Sequence, residues 1–192
     1  LPIELVSTQT VGATLGENAK TAGVRAGVLG LSVLVIFLIV WYRLPGLIAS
    51  LSLLIYISIS LALFKLIPVT LTAAGIAGFI LSVGMAVDAN ILIFERTKEE
   101  MRKGKDLFDS LKEGFARAWL SIRDSNISSI ITALVLFWLG TSSVQGFALT
   151  LGIGVLVSMF TAISVSRTFL FAIAPKKDSG ISKFLFGNGL TK

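Results

Sequence analysis

Cysteine and histidine are both absent from the 192 residues. Without cysteine there is no disulfide scaffold, no thiolate nucleophile and no cysteine metal site. Without histidine there is no serine-triad base, no His-ligated zinc and no imidazole titrating near neutral pH. Proton chemistry in this chain must run on carboxylates, lysine, tyrosine or water. Charge is scarce as well: 15% of residues are charged, where a soluble domain carries about a quarter. What is abundant is apolar, with 54% hydrophobic residues and a mean hydropathy of +0.88. A chain of this composition is an integral membrane protein.

The chain opens on Leu1 with no basic segment followed by a short apolar core, so no signal peptide is read there. Residues 1–23 are polar and rich in Gly and Thr, like the tail of something upstream. Crossing the hydrocarbon core takes roughly 20 apolar residues. Five stretches approach or exceed that length: 26–42, 46–66, 69–94, 127–141 and 144–165. The fourth is short, so its polar start at Asn126, Ser128 and Ser129 is expected to dip below the headgroups. The expected fold is an all-α membrane protein, a bundle of five transmembrane helices plus a cytoplasmic amphipathic helix. The expected organisation is an extracytoplasmic link over 1–24, the bundle over 25–172 with an amphipathic cytoplasmic loop at 96–125, and a cytoplasmic tail over 173–192.

Charge bias sets the expected orientation. Threading five spans places 14 of the 17 Lys and Arg on one side, leaving Lys20, Arg25 and Lys65 on the other. The rich side reads as cytoplasmic, which puts the N-terminus outside and the C-terminus inside. That asymmetry accounts for the net charge of +6, so nucleic-acid binding is not inferred from it. Within the loop, Leu107, Phe108, Leu111, Phe115, Ala118, Trp119 and Ile122 recur at steps of three and four. This is the pattern of an amphipathic helix, expected to lie on the inner membrane face or to pack beneath the bundle.

Asp88 is the one formal charge deep inside an expected span. Insertion of a central Asp costs roughly 2.5–3.5 kcal/mol, and such residues turn towards protein or water. A proton or cation site is the favoured reading, because no Lys or Arg of the chain lies at its depth. The bland alternative is a neutral Asp that ties two helices together. Glu95 lies two helical turns further on the same face, about 10 Å nearer the cytoplasm. It could be a second station of one hydrated path, or an ordinary interfacial ion-pair partner of Arg96. Asn90 points almost opposite to Asp88 and reads as an interhelical hydrogen-bonding residue. Gly78, Ser82 and Gly84 are candidates for close helix packing near Asp88, with Ser158, Thr161 and Thr132 as alternative groups that hydrate it. No metal site is expected. A membrane Ser–Lys hydrolase is disfavoured because Lys65 lies at an outer interface, away from the serines; the chain is not expected to be an enzyme.

The run Val83-Gly-Met-Ala-Val-Asp88-Ala-Asn90-Ile-Leu-Ile-Phe-Glu95-Arg96 resembles the signature of the SecD/SecF family of bacterial protein-export membrane subunits, within the resistance-nodulation-division superfamily. Thr10–Gly16, Tyr42-Arg43, the Ala118–Asn126 stretch and Gly146–Gly152 also fit, so the resemblance covers nearly all of 5–170. It implies the membrane half of a SecD-type subunit, energised by the proton gradient with no cofactor, in the bacterial plasma membrane. The implied partners are SecF (separate or fused), the SecY channel, the SecA ATPase, the exported unfolded polypeptide and the lipid bilayer. Asp88 would match the family's intramembrane relay aspartate. The family's other relay groups, an Asp and an Arg, would belong to the SecF half. Sliding contact at Gly78, Ser82 and Gly84 would couple protonation to motion. The competing readings are half of another exporter of the superfamily, for small molecules or lipids, and a non-transporting membrane scaffold.

Overall fold

The computed structural model describes residues 13–174 and residue 186. These form α1 (Ala13–Tyr42), α2 (Leu44–Leu66), α3 (Ala73–Arg102), α4 (Leu107–Leu139), α5 (Ser142–Phe160), a π-helical turn (Thr161–Ser166) and α6 (Arg167–Ile173). Among the described residues there is no strand. Five helical stretches are long and apolar enough to cross a membrane: Thr21–Tyr42, Leu44–Leu66, Ala73–Arg102, Leu107–Leu139 and Ser142–Ile173. Number and order match the five expected spans. Residues 13–24, expected as link, are the first turns of α1; residues 1–12 and all of the tail beyond 174 except residue 186 lie outside the described residues.

Punctuation residues set the joints. Arg43 alone separates α1 from α2, with φ at 52°, and a proline follows in the first turn of α2, where a missing N–H costs nothing. Gly46 lets the two helices cross tightly: a Cβ there would sit 3.0 Å from the Ile39 nitrogen and closer still to the Leu38 carbonyl. Thr72 caps α3, its hydroxyl accepting from the Gly75 N–H at 3.1 Å.

α3 is the central post of the bundle. Its most extensive contact is with α5, then with α4. The α3–α5 seam is built from small residues. A Cβ on Gly78 would meet Thr150 Oγ1 at 2.6 Å, and one on Gly154 would meet the Tyr56 hydroxyl at 2.9 Å. Thr150 Oγ1 crosses the seam to donate to the Gly75 carbonyl at 2.8 Å. In a bilayer, lipid tails are as apolar as leucine, so such close packing and hydrogen bonding replace the hydrophobic drive. Outward-facing apolar residues, among them Val33, Phe37, Leu134 and Trp138, are left for lipid.

The amphipathic stretch corrects one expectation. It is not a separate cytoplasmic helix: α4 runs unbroken for 33 residues from Leu107 to Leu139 and contains both that stretch and the fourth span. No proline interrupts it. Its one internal glycine, Gly114, is used for contact, since a Cβ there would lie 2.8 Å from Thr97 Cα of α3. The apolar face read from the sequence is real, and Leu107, Leu111, Ala118 and Ile122 are buried. Phe108 and Phe115 both pack on Phe171 of α6, with centroids 5.2 and 5.8 Å away.

Candidate functional site

α3 presents two different faces. Gly78, Ser82, Ala86, Ala89, Asn90 and Ile93 are buried, whereas Leu81, Gly84 and Asp88 are exposed. The helix period of 3.6 puts 81, 84 and 88 on one stripe. The Asp88 side chain opens into a cavity of about 170 Å³. Met85, Ala89 and Leu92 line it from α3, and Ile122, Ser125 and Asn126 line it from α4. Among the described residues, Asp88 is the only titratable one in that lining.

Glu95 is held elsewhere. It pairs with Lys98 at 2.9 Å, whose ammonium also lies over the Tyr42 ring at 4.1 Å. Its partner is therefore not Arg96, which pairs with Glu99 at 2.9 Å. Glu95 does not line the Asp88 cavity, so the structure does not bring the two acids together.

Asn90 bridges helices as its position suggests. It is buried, its amide donates to the Ala86 carbonyl at 3.2 Å, and its Oδ1 accepts from Ser166 Oγ at 2.6 Å. Ser166 closes the π-helical turn, a local widening that recurs at functional sites. Ser82 is also buried and joins three elements: its hydroxyl lies 2.6 Å from the Tyr56 hydroxyl of α2, donates to the Phe79 carbonyl at 2.7 Å and abuts Gly154.

Gly84 departs from its expected packing role. A Cβ there would meet nothing within 4 Å, because the residue lies on the open stripe with Asp88. The proposed hydrating groups also lie apart. Ser158, Thr161 and Thr132 each donate to a carbonyl of their own helical turn, and none lines the cavity. Ser125 and Asn126 do line it. Sequence reasoning noted Asn126 only as a polar start of a span. The signal that places both beside Asp88 is the continuity of α4, which turns the loop's last residues into a helix antiparallel to α3.

A second polar cluster lies at the basic end, where α3 meets α4. Glu100 is 1% exposed, covered by the cations that neutralise it. Lys103 and Lys105 each reach its carboxylate at 2.6 Å, and Arg117 also pairs with it. Lys105 pairs with Glu113 too. Glu100 first, then Glu113, hold the Lys105 ammonium above the usual lysine range. Tyr42, at the α1–α2 joint, belongs to the same end: its ring packs on Phe94 at 5.4 Å and under the Lys98 ammonium at 4.1 Å.

A five-span helical bundle with one carboxylate opening into a cavity between two of its helices is the architecture of a polytopic membrane protein. The family model described as "Protein export membrane protein SecD/SecF, C-terminal" matches residues 2–176. The chain belongs to that family. It is 56% identical over 174 residues to the protein translocase subunit SecD of Thermobaculum terrenum, covering 88% of this chain and 34% of that one. It is 55% identical over 172 residues to SecD of Synechocystis sp., covering 90% and 36%. The crystal structure of SecDF from Thermus thermophilus, described as a translocon-associated membrane protein, superposes with a TM-score of 0.83 at 41% identity, covering 86% of this chain and 23% of that one. The chain thus spans about a third of the length of these SecD relatives.

Proposed function

We propose that this chain is the membrane part of a SecD subunit that couples proton flow to the late stage of polypeptide export. Asp88 is the proton-carrying group. The observation that carries this reading is the placement of Asp88: a lone carboxylate on the open stripe of the central helix, bordered by water-sized space rather than by a neutralising cation. Ionised and neutral Asp88 favour different neighbours, so protonation biases how a second membrane half packs on that stripe. That half is SecF, separate or fused, and the name of the matched SecDF structure supports the pairing. It would supply the groups that complete the relay. The SecY channel, the SecA ATPase and the exported unfolded polypeptide are the further partners.

The setting is the bacterial plasma membrane, with the N-terminus outside and the C-terminus cytoplasmic. Support comes from the geometry of the basic end. The α1–α2 joint at Arg43, the α3–α4 turn and the start of α4 lie together there, which is the side the charge bias assigns to the cytoplasm. The subunit acts without catalysing a covalent step and without a bound cofactor. The gradient is its energy source.

The test is gradient-dependent export into membrane vesicles, using the full-length subunit with Asp88 or Asp88→Asn at equal membrane insertion. The Asn form loses the gradient-dependent component. Unchanged export would make Asp88 a packing residue and favour a scaffold.

A further inference from the structure

The fifth span is not one regular helix. It runs over Ser142–Ile173, and between α5 and α6 it widens into the π-helical turn Thr161–Ser166. A π-helical turn holds about one residue more than the α-helical turn it replaces. Here it is wedged against α2 and α3, with Thr161, Ala162 and Ser166 buried. Thr161 Oγ1 donates to the Val157 and Ser158 carbonyls, each at 3.1 Å. Thr168 Oγ1 donates to the Ser164 carbonyl at 2.6 Å. Hydroxyls so placed keep backbone carbonyls satisfied in a membrane where a helix changes its ladder. One residue more or less in the turn rolls everything beyond it by about 100°. Beyond it stands α6, whose Leu170 is buried and whose Phe171 packs on Phe108 and Phe115 of α4. A roll of that size takes both off their contacts.

The hydrogen bond from Ser166 to Asn90 at 2.6 Å ties this turn to α3, and both residues are buried. Asn90 lies two residues beyond Asp88, about 200° round the same helix. A displacement of α3 towards the Asp88 side therefore withdraws Asn90 from Ser166. A hydrogen bond is lost beyond about 3.5 Å, so a shift of about 1 Å breaks this one. We propose that Asn90 and Ser166 form a latch on the π-helical turn, and that this turn is a joint carrying the state of Asp88 to the α4–α6 contact at the basic end. Ionised Asp88 is drawn towards water and the second membrane half, α3 moves with it, and the latch opens. The turn then relaxes to α-helix and α6 rolls off α4. Neutral Asp88 lets α3 settle back, and the latch closes in the arrangement of this structure. Packed helices switch between discrete arrangements of this kind. The inference rests on the proton-coupling reading of Asp88 and makes Asn90 and Ser166 positioning residues that act through α3.

The distance between α4 and α6 reads the joint directly. Full-length subunit with its SecF partner carries spin labels on Asp109→Cys of α4 and Ala172→Cys of α6, both exposed positions. The chain contains no cysteine of its own, and any cysteine elsewhere is replaced by serine. A roll of α6 moves its label by roughly 5–8 Å. The parent is expected to show two distances and Asp88→Asn, the neutral form, one. Adding Asn90→Ala to Asp88→Asn should bring the second distance back, raising its share about fivefold or more. Deleting Ser164, exposed in the turn, turns it into plain α-helix with Phe171 still in place. That variant should melt no lower than the parent, hold one distance with either residue at 88, and lose gradient-dependent export. Distances that ignore Asn90→Ala would overturn the latch. Intact gradient-dependent export after the deletion would overturn the joint, and a lost melting transition would make the turn a packing element instead. Spin-label distances need no gradient, so a failure of proton coupling appears in Asp88→Asn export and a failure of the latch appears in the Asn90→Ala distances.

Discussion

The two faces of α3 do opposite work with the same helix. The buried face meets its neighbours through Gly78, Ser82 and Asn90, where a single added carbon or a lost hydroxyl has no room or no substitute. The open face carries Gly84 and Asp88, where a Cβ meets nothing and a carboxylate borders a cavity. Identity on the first face is fixed by this chain's own packing. On the second face it is fixed by something the packing of this chain does not use. A costly intramembrane carboxylate that contributes nothing to its own bundle is the mark of a functional group.

That contrast can be broken by substitution, and the largest effect is expected at the α3–α5 seam. Gly154→Leu drives carbon into Ser82 Cβ and the Tyr56 hydroxyl, the latter 2.9 Å from the new Cβ. Backbone lies on one side of this contact and a buried hydroxyl pair on the other, so the seam cannot yield by a rotamer change. Overpacking of this kind costs about 3 kcal/mol or more, visible as loss of the thermal transition in detergent. Asn90→Ala should cost about 1–2 kcal/mol by leaving the Ser166 hydroxyl without its acceptor, and Ser166→Ala should add little on top of it in a double-mutant cycle. Gly84→Leu is the matched control on the open face. It should raise the chain's stability by up to about 1 kcal/mol, the helix gaining propensity from the loss of glycine. An effect as large as that of Gly154→Leu would erase the distinction between the faces.

The smallest effect concerns pH at the basic end. Lys105 has its pKa raised in the folded chain by Glu100 and Glu113. Its ion pairs therefore contribute fully below the ordinary lysine pKa of about 10.4 and fade as pH climbs through the raised value. Melting temperature should owe nothing to Lys105 titration between pH 7 and about 9. It should fall more steeply above that in the parent than in Lys105→Met.

Much of this was legible in the sequence. Hydrophobic run length found five spans because the bilayer imposes that length on every crossing segment. The lone Asp88 stood out because charge is so costly there, and Asn90 because an amide two residues away must face a different helix. What the sequence hid were relations between segments. Residues 107–139 looked like a loop helix followed by a short span, because periodicity reports which face is apolar and says nothing of whether a helix continues into the membrane. Ser125 and Asn126 were consequently not seen beside Asp88. Gly84 was misplaced for the converse reason: small-residue spacing suggests close packing, yet spacing alone cannot say which stripe has a neighbour. Glu95 shares a stripe with Asp88, but Lys98, one turn on, captures it.

The central claim is that Asp88 serves function and not packing, and one paired measurement on Asp88→Asn tests it directly. Thermal stability and gradient-dependent export are measured on the same full-length preparation. The account predicts a melting temperature indistinguishable from the parent's, together with loss of the gradient-dependent export component. A lowered melting temperature with the gradient response intact would contradict it.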